Sequence, residues 1–320
     1  MKKKICIITG DPNSINSEII FKSLKKLDSK TRSKIILVGN FSLLRNQFKK
    51  FNTKFKILAI NEINKKIKKD YIKVFDIPLK FNDCFNVSKT NASKYVAECL
   101  NFAHNLCEKK KINGFINCPI DKNLIIRKNI FGVTEFLGKK NSSKRFSEVM
   151  LLYNKKLSVV PITTHIKINE VSRKINKHLI LKKIKTLFFF YKKIFRIIPK
   201  VAILGLNPHN SELSKNSEEV KKIIPAIKIL KKKYNISGPM VADNFFKTDY
   251  RKYNVVVGMY HDQVLIPFKH LFKYNAINIT LGLNYLRVSP DHGTAKDLIL
   301  KNKANPESLL ECIKFMKKMN

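Results

Sequence analysis

Short runs of aliphatic and β-branched residues alternate along this chain with longer, lysine-rich amphipathic stretches. The runs at residues 4–9, 34–38, 114–117, 157–162, 201–206, 255–259 and 276–280 have the length of strands and are apolar on both faces. Helical spacing of apolar positions predicts helices over 17–27, 92–109, 168–191, 217–234 and 306–318. Strand–helix alternation of this kind predicts the α/β class, a mostly parallel sheet covered by helices. A length of 320 residues exceeds what one compact core usually holds, so two domains are expected; the only hint of a boundary lies near 129–132.

Reading each strand to its exit locates the polar chemistry, because ligands of open α/β sheets bind outside the carboxyl ends of the strands. The exits read Thr9-Gly10-Asp11-Pro12, Asn117-Cys118-Pro119-Ile120-Asp121-Lys122, Thr163-Thr164-His165, Asn207-Pro208-His209-Asn210, Tyr260-His261-Asp262-Gln263 and Asn278-Ile279-Thr280. Three histidines thus follow three separate strands, whereas His104 and His178 fall within predicted helices. Imidazoles converging from parallel strand ends suit a divalent metal of the Zn, Co or Mn type with a position left for substrate. His270 and His292 remain alternative donors. A lone histidine is more often a hydrogen-bonded structural residue, so the case rests on the three together.

Composition narrows the function classes. The formal charge is +41, with 64 Lys and Arg against 23 Asp and Glu. The cations are spread over the whole length, without a zinc finger, an aromatic RNA-binding motif or a basic tail. This reads as a compositional bias laid over a fold, with no nucleic acid as principal partner, although such a field attracts anionic substrates. No apolar stretch approaches the ~20 residues of a membrane span, and the N-terminal apolar run is too short for a secretory signal. A cytoplasmic enzyme with no membrane partner is expected. The six cysteines, Cys6, Cys84, Cys99, Cys107, Cys118 and Cys312, lack zinc-ligand spacing and read as reduced core residues.

Lys269 and Arg287 place cations after short apolar stretches, where with Asn278 they can grip a phosphate or carboxylate; arginine is the better bidentate donor. Solvated surface charge is the competing reading, most of all for Lys269. The segment Asp291-His292-Gly293-Thr294-Ala295-Lys296-Asp297 predicts a polar turn opening a helix, able to receive polar or anionic cofactor groups. No G-x-G-x-x-G follows the first strand, so an ordinary Rossmann site is not supported.

These motifs resemble one family. Tyr260-His261-Asp262-Gln263 with Ile266-Pro267-Phe268-Lys269 is similar to a characteristic block of the 4-hydroxythreonine-4-phosphate dehydrogenases. So are Asn278-Ile279-Thr280-Leu281-Gly282-Leu283, Arg287 and Ser289-Pro290-Asp291-His292-Gly293-Thr294-Ala295. Gly10-Asp11-Pro12, Glu18, Thr134-Glu135-Phe136-Leu137, Thr163-Thr164-His165, Leu206-Asn207-Pro208-His209 and Gly238-Pro239 with Ala242-Asp243 fall in the family's order, so the resemblance spans nearly the whole chain.

The resemblance implies two α/β/α lobes like those of isocitrate and isopropylmalate dehydrogenases, with a cleft between them. Residues 1–130 plus about 290–320 would form the first lobe, and 131–289 the second. It further implies a homodimer with the active site at the subunit interface, and a metal (Zn, Co or Mg) shared between subunits. Its metal ligands match His165, His209 and His261; its substrate contacts match Thr134, Lys269, Asn278 and Arg287. His292, Gly293, Thr294 and Ala295 correspond to the loop holding the adenosine part of NAD, with NADP left open. Asp243 is the first candidate for the proton-accepting base, with a metal-orienting or structural role as the alternative. The implied reaction oxidises 4-phosphooxy-L-threonine and, with decarboxylation, yields 3-amino-2-oxopropyl phosphate in vitamin B6 (pyridoxal phosphate) biosynthesis.

The chain departs from the family pattern where glycine is usual: at Asn13–Ser17, at Asn210–Lys215, at Val264 and at Leu298–Lys303. Val133 replaces a histidine that precedes the matched threonine. These departures keep two alternatives in view. One is a related metal-dependent dehydrogenase of another phosphorylated four-carbon hydroxy acid lacking the amine; the other is a non-catalytic basic binding protein on the same scaffold.

Overall fold

The computed structural model describes residues 4–63, 65, 68, 71–126, 132–140 and 146–319. The chain divides into two compact units, Met1–Leu137 with Asn284–Asn320, and Gly138–Leu283. The expected boundary at 130/131 lies outside the described residues, and of the hint at 129–132 only Gly132 is described.

In chain order the first unit holds β1 (Ile5–Ile8), α1 (Asn16–Lys26), α2 (Ser29–Arg32), β2 (Ile35–Gly39), α3 (Phe41–Lys50), β3 (Lys56–Ile60), β4 (Tyr71–Asp76), α4 (Lys89–Glu108) and β5 (Gly114–Asn117). Helix α5 (Val133–Lys140) closes this stretch. The second unit follows with β6 (Val149–Tyr153), β7 (Ser158–Pro161), α6 (Ile168–Lys174), α7 (Lys177–Phe195), β8 (Val201–Leu204), α8 (Ile224–Lys231), β9 (Ile236–Met240), α9 (Ala242–Thr248), β10 (Val255–Gly258), α10 (His261–Phe272) and β11 (Ile277–Leu281). Strand β12 (Leu286–Pro290) and α11 (Glu307–Met319) belong to the first unit again.

Within the first unit the strand order is β3-β4-β2-β1-β5-β12, parallel throughout. Strands β1, β2 and β5 are buried at every position, as expected for strands covered on both faces. The direction in which strands are added reverses at β1, with β2 on one side of it and β5 on the other. Within the second unit the order is β11-β6-β7-β10-β8-β9, and only β6 runs against the rest. Helix α10 packs on β7 and β10 and contributes Val264, Leu265 and Phe268 to a core shared with Val159, Ala202, Leu204 and Val256.

Two expected helices differ. Residues 168–191 do not form one helix, because Asn176 accepts a hydrogen bond from the Leu179 backbone N–H (2.9 Å) and so starts α7 afresh after α6. Residues 217–234 begin with a π-helical turn, Glu219–Ile223, and continue as α8 with Pro225 near its start. All six cysteines are buried free thiols; burial alone pushes Cys6 up to about 12, so it stays protonated at neutral pH.

Glu18 is fully buried on α1, where Oε1 accepts from Lys22 Nζ (2.7 Å) and from the Ala304 backbone N–H (2.8 Å). Lys22 also donates to the Asn302 and Ala304 carbonyls (2.8 and 3.1 Å), which ties α1 to the segment entering α11. The other unusual constraint lies beyond β8. His209, Asn210, Ser211, Glu212 and Leu213 all have left-handed backbone, with φ of 47–56°. None is glycine, and an L side chain there costs roughly 1–2 kcal/mol per residue.

Lys22→Met is expected to lower stability by about 2–4 kcal/mol, because it leaves the Glu18 carboxylate buried beside lost donors; denaturant midpoints measure this. Ser211→Gly is expected to be neutral or to stabilise by up to about 1 kcal/mol, since relief of left-handed strain offsets the greater entropy of glycine in the unfolded chain. A clear loss of stability in Ser211→Gly would show that the serine side chain, not the backbone, decides this loop.

Candidate active site

Strand order in the second unit decides which sequence-distant side chains meet. His165 follows β7 and His261 opens α10 directly after β10, and these two strands are parallel neighbours. Their pairing continues past the strand ends. Ile162 N–H donates to the Gly258 carbonyl (2.8 Å), and Thr163 donates to the Met259 carbonyl through both N–H (3.1 Å) and Oγ1 (2.8 Å). The imidazoles of His165 and His261 consequently lie with ring centroids 5.7 Å apart. Two rings on one tetrahedral ion would have centroids about 5 Å apart, so this pair fits a shared divalent cation.

Asp262 Oδ1 lies 2.6 Å from His261 Nδ1. A carboxylate only accepts, so the proton sits on Nδ1 and the Nε2 lone pair is left as the donor, the arrangement that fixes the tautomer of metal-binding histidines. Gln263 braces the same loop: Oε1 accepts from Met259 N–H (2.7 Å) while Nε2 donates to the Gly205 carbonyl (2.7 Å) at the exit of β8. The sequence motif contained Gln263 but did not reveal this bridging role.

The other two strands make a second pair. His209 lies beyond β8 and Asp243 beyond β9, also parallel neighbours, and His209 Nε2 is 3.9 Å from Asp243 Oδ2. Glu212 Oε1 lies 3.7 Å from His209 Nδ1, and all three side chains are exposed. Among the described residues, no group of three or more His, Cys, Asp or Glu lies close enough to hold a metal. His165 and His261 come together, and His209 stays with Asp243. The reason is local: His209 stands five residues past the last residue of β8, on the left-handed backbone described above.

Among the expected substrate contacts in this unit, Asn278 sits on β11 with Oδ1 buried and without a hydrogen-bond partner among the described residues. An orphaned acceptor of this kind is costly unless a ligand satisfies it. Lys269 lies on α10, exposed, two turns after His261.

In the first unit the switch point between β1 and β5 gathers polar groups, among them Asp11, Asn117 and Asp121, which sequence reading left without roles. Asp11 is buried; its Oδ1 accepts from Asn13 N–H (2.9 Å) and its Oδ2 from Asp121 N–H (3.4 Å). Burial pushes the Asp11 carboxyl above its ordinary range, against the pull of the Asn13 N–H and of Lys296. Lys296 Nζ donates to Asp121 Oδ2 (2.7 Å), a bond that lowers the Asp121 carboxyl and raises the lysine. Arg287, on β12, is buried and donates from Nε to Asn117 Oδ1 (2.6 Å) at the end of β5. Desolvation draws the guanidinium down to about 10, which leaves it cationic at neutral pH. Thr134 and Val133 are half-buried in the first turn of α5.

The segment His292–Ala295 does not open an α-helix as expected. It leads, through left-handed Ala295, into a three-residue 3-10 turn, Lys296–Leu298, too short to develop a helix dipole. His292 Nδ1 donates to the Gly293 carbonyl (3.0 Å), no atom of the described residues other than its chain neighbours lies within 4 Å of the position a Gly293 side chain would take, and the Thr294 carbonyl accepts from Ile15 N–H (3.2 Å).

Residues 31–316 match the family model described as pyridoxal phosphate biosynthetic protein PdxA. A 4-hydroxythreonine-4-phosphate dehydrogenase of Sulfurihydrogenibium sp. is 37% identical over 98% of this chain and 97% of its own. A D-threonate 4-phosphate dehydrogenase of Pectobacterium atrosepticum is 31% identical, covering 97% of each chain. The solved structure of a 4-hydroxythreonine-4-phosphate dehydrogenase from Klebsiella pneumoniae superposes with a TM-score of 0.82 at 28% identity, over 99% of this chain and 97% of the other. Fold, order of motifs and full-length similarity agree, and the chain is a member of the pyridoxal phosphate biosynthetic protein PdxA family.

Proposed function

We propose that this chain is an NAD- and divalent-metal-dependent dehydrogenase that oxidises 4-phosphooxy-L-threonine, with decarboxylation, to 3-amino-2-oxopropyl phosphate. The observation that carries the proposal is the pairing of the His165 and His261 imidazoles at the carboxyl ends of β7 and β10. His165, His261 and His209 would hold the ion, which when bound supplies Lewis acidity toward the substrate hydroxyl. Only two of the three meet within one chain, which supports a homodimer whose second copy completes the site.

The protein's own side chains do the remaining work. Asp262 keeps the proton on Nδ1 of His261 and its Nε2 available. Asp243, an exposed carboxylate beside His209, is assigned as the base that would take the proton of the substrate hydroxyl, with a bound nicotinamide as the hydride acceptor. Asn278 offers an acceptor to a donor group of the substrate; Lys269, Arg287 and Thr134 are assigned to its anionic groups. His292, Gly293, Thr294 and Ala295 are assigned to the dinucleotide, where the open space at Gly293 allows close approach to the backbone.

A second reading has its own support. Relatives named D-threonate 4-phosphate dehydrogenase match over essentially the whole chain, and in that substrate a hydroxyl replaces the amine. Val133, apolar where the family carries histidine, leaves the contact to this part of the substrate open.

The test is NADH formation by chelator-treated protein with 4-phosphooxy-L-threonine or D-threonate 4-phosphate, with and without Zn²⁺, Co²⁺ or Mg²⁺. Metal-dependent turnover of the amino substrate supports the first reading, and preference for the hydroxy acid the second. Turnover of neither, despite bound metal, would sink both. Asn278→Leu separates binding from folding: removing an orphaned buried acceptor should leave stability unchanged or raised, yet increase substrate KM about 10-fold with NAD KM little altered. Arg287→Met should raise substrate KM about 10- to 100-fold, and an equal rise in NAD KM would contradict its assignment.

A further inference from the structure

We infer that Glu219 is a positioning residue whose buried carboxylate fixes the exit of β8 and, through it, the His209 imidazole. Glu219 is fully buried and starts the π-helical turn Glu219–Ile223. Its Oε1 accepts from two successive backbone N–H groups, Leu206 and Asn207, each at 2.8 Å, and its Oε2 accepts from Asn207 Nδ2 at 2.9 Å. Asn207 Nδ2 is also held by Glu218 Oε2 (2.9 Å), and Glu218 in turn accepts from Ser172 Oγ.

The geometry gives this clamp a specific consequence. Leu206 and Asn207 are the last residues before Pro208, whose φ is fixed by its ring, and His209 comes next. Once the two N–H groups are pinned, the direction in which the chain delivers His209 is set before the left-handed turn begins. That turn has no glycine to absorb error, so the fixed point must lie upstream. A carboxylate is the suitable group, since it accepts from several donors and contributes none of its own. A π turn, with Ile224 N–H donating to the Glu219 carbonyl, is a common local device at functional sites.

The inference rests on His209 as a metal ligand, and the experiment separates the two. Co²⁺ is titrated into the chelator-treated full-length protein, its NAD affinity and Tm are measured, and amide hydrogen exchange is followed across residues 205–210. Glu219→Gln keeps the shape but, with its carbonyl oxygen on the two N–H groups, sets an amide donor against Asn207 Nδ2 and removes the negative charge that strengthens all three bonds. It should weaken Co²⁺ binding about 10- to 100-fold and speed exchange at Leu206 and Asn207, with NAD affinity and Tm close to wild type. Unchanged Co²⁺ affinity or unchanged exchange would each overturn the inference, as would equal losses in metal affinity, NAD affinity and folding. If His209→Ala binds Co²⁺ as tightly as wild type, the ligand reading fails, and unchanged exchange in Glu219→Gln would still refute the clamp. Should Glu219→Gln not fold, Asn207→Leu removes only the side-chain arm. A drop in Co²⁺ affinity of about fivefold then supports the inference, and no drop overturns it.

Discussion

In a sheet whose strands run parallel, every carboxyl end faces the same edge, and the order of pairing alone decides which loops become neighbours. The second unit is governed by this constraint. Because β10 lies between β7 and β8, and β9 lies outside β8, residues about 96 and 34 positions apart in sequence are drawn into the pairs His165–His261 and His209–Asp243. Local propensity has no part in that juxtaposition. It follows from the backbone ladders, which extend past β7 and β10 through Ile162 and Thr163 and hold the two exits in register.

Side-chain amides then do in these loops what glycine-rich backbone does elsewhere. After β1 the chain keeps one glycine where nothing else fits: Gly10 has φ of 77°, and a Cβ there would meet Asn16 Nδ2 and the Pro119 carbonyl at 2.5 and 2.6 Å. The following residues are fixed by hydrogen bonds. Asn13 exchanges two with the Val87 backbone (both 2.8 Å), Asn16 donates to the Pro119 carbonyl (2.8 Å), and Gln47 donates to the Pro12 and Cys84 carbonyls (2.9 and 2.6 Å). Each bond contributes only about 1 kcal/mol, but together they restrict a loop that glycine would have left loose. Beyond β8 the compensation is of another kind, a strained left-handed run anchored at its upstream end.

Sequence alone revealed the strands buried on both faces, β1, β2, β5, β7, β8, β10 and β11, because continuous apolar runs have few other uses in a chain this polar. It passed over those that break the pattern. Strands β3 and β4 form one edge and carry lysines, β9 contains Gly238-Pro239, and β12 buries an arginine. Strand β6 returns through a tight turn with no intervening helix. The site was legible to the same depth. Histidines at strand exits could be named from their spacing, yet which of them meet depends on strand order, which spacing does not encode. Gln263 and Glu219 act through backbone groups, and no side-chain pattern signals a partner of that kind.

The excess of lysine explains where the remaining information lies. With 64 Lys and Arg in 320 residues, an exposed cation such as Lys269 says little about function by itself, since a solvated position costs nothing to occupy. The 23 acidic residues are scarce, and a buried one must be matched by donors. Asp11, Glu18 and Glu219 are buried, and each receives backbone N–H groups from a loop at a strand exit or a helix junction. Arg287 is the corresponding case among the cations, buried and bonded to Asn117 while lysines populate the surface. Where composition has drifted so far toward one charge, the residues that hold the loops in place are those set against the drift, and burial separates them from the bias around them.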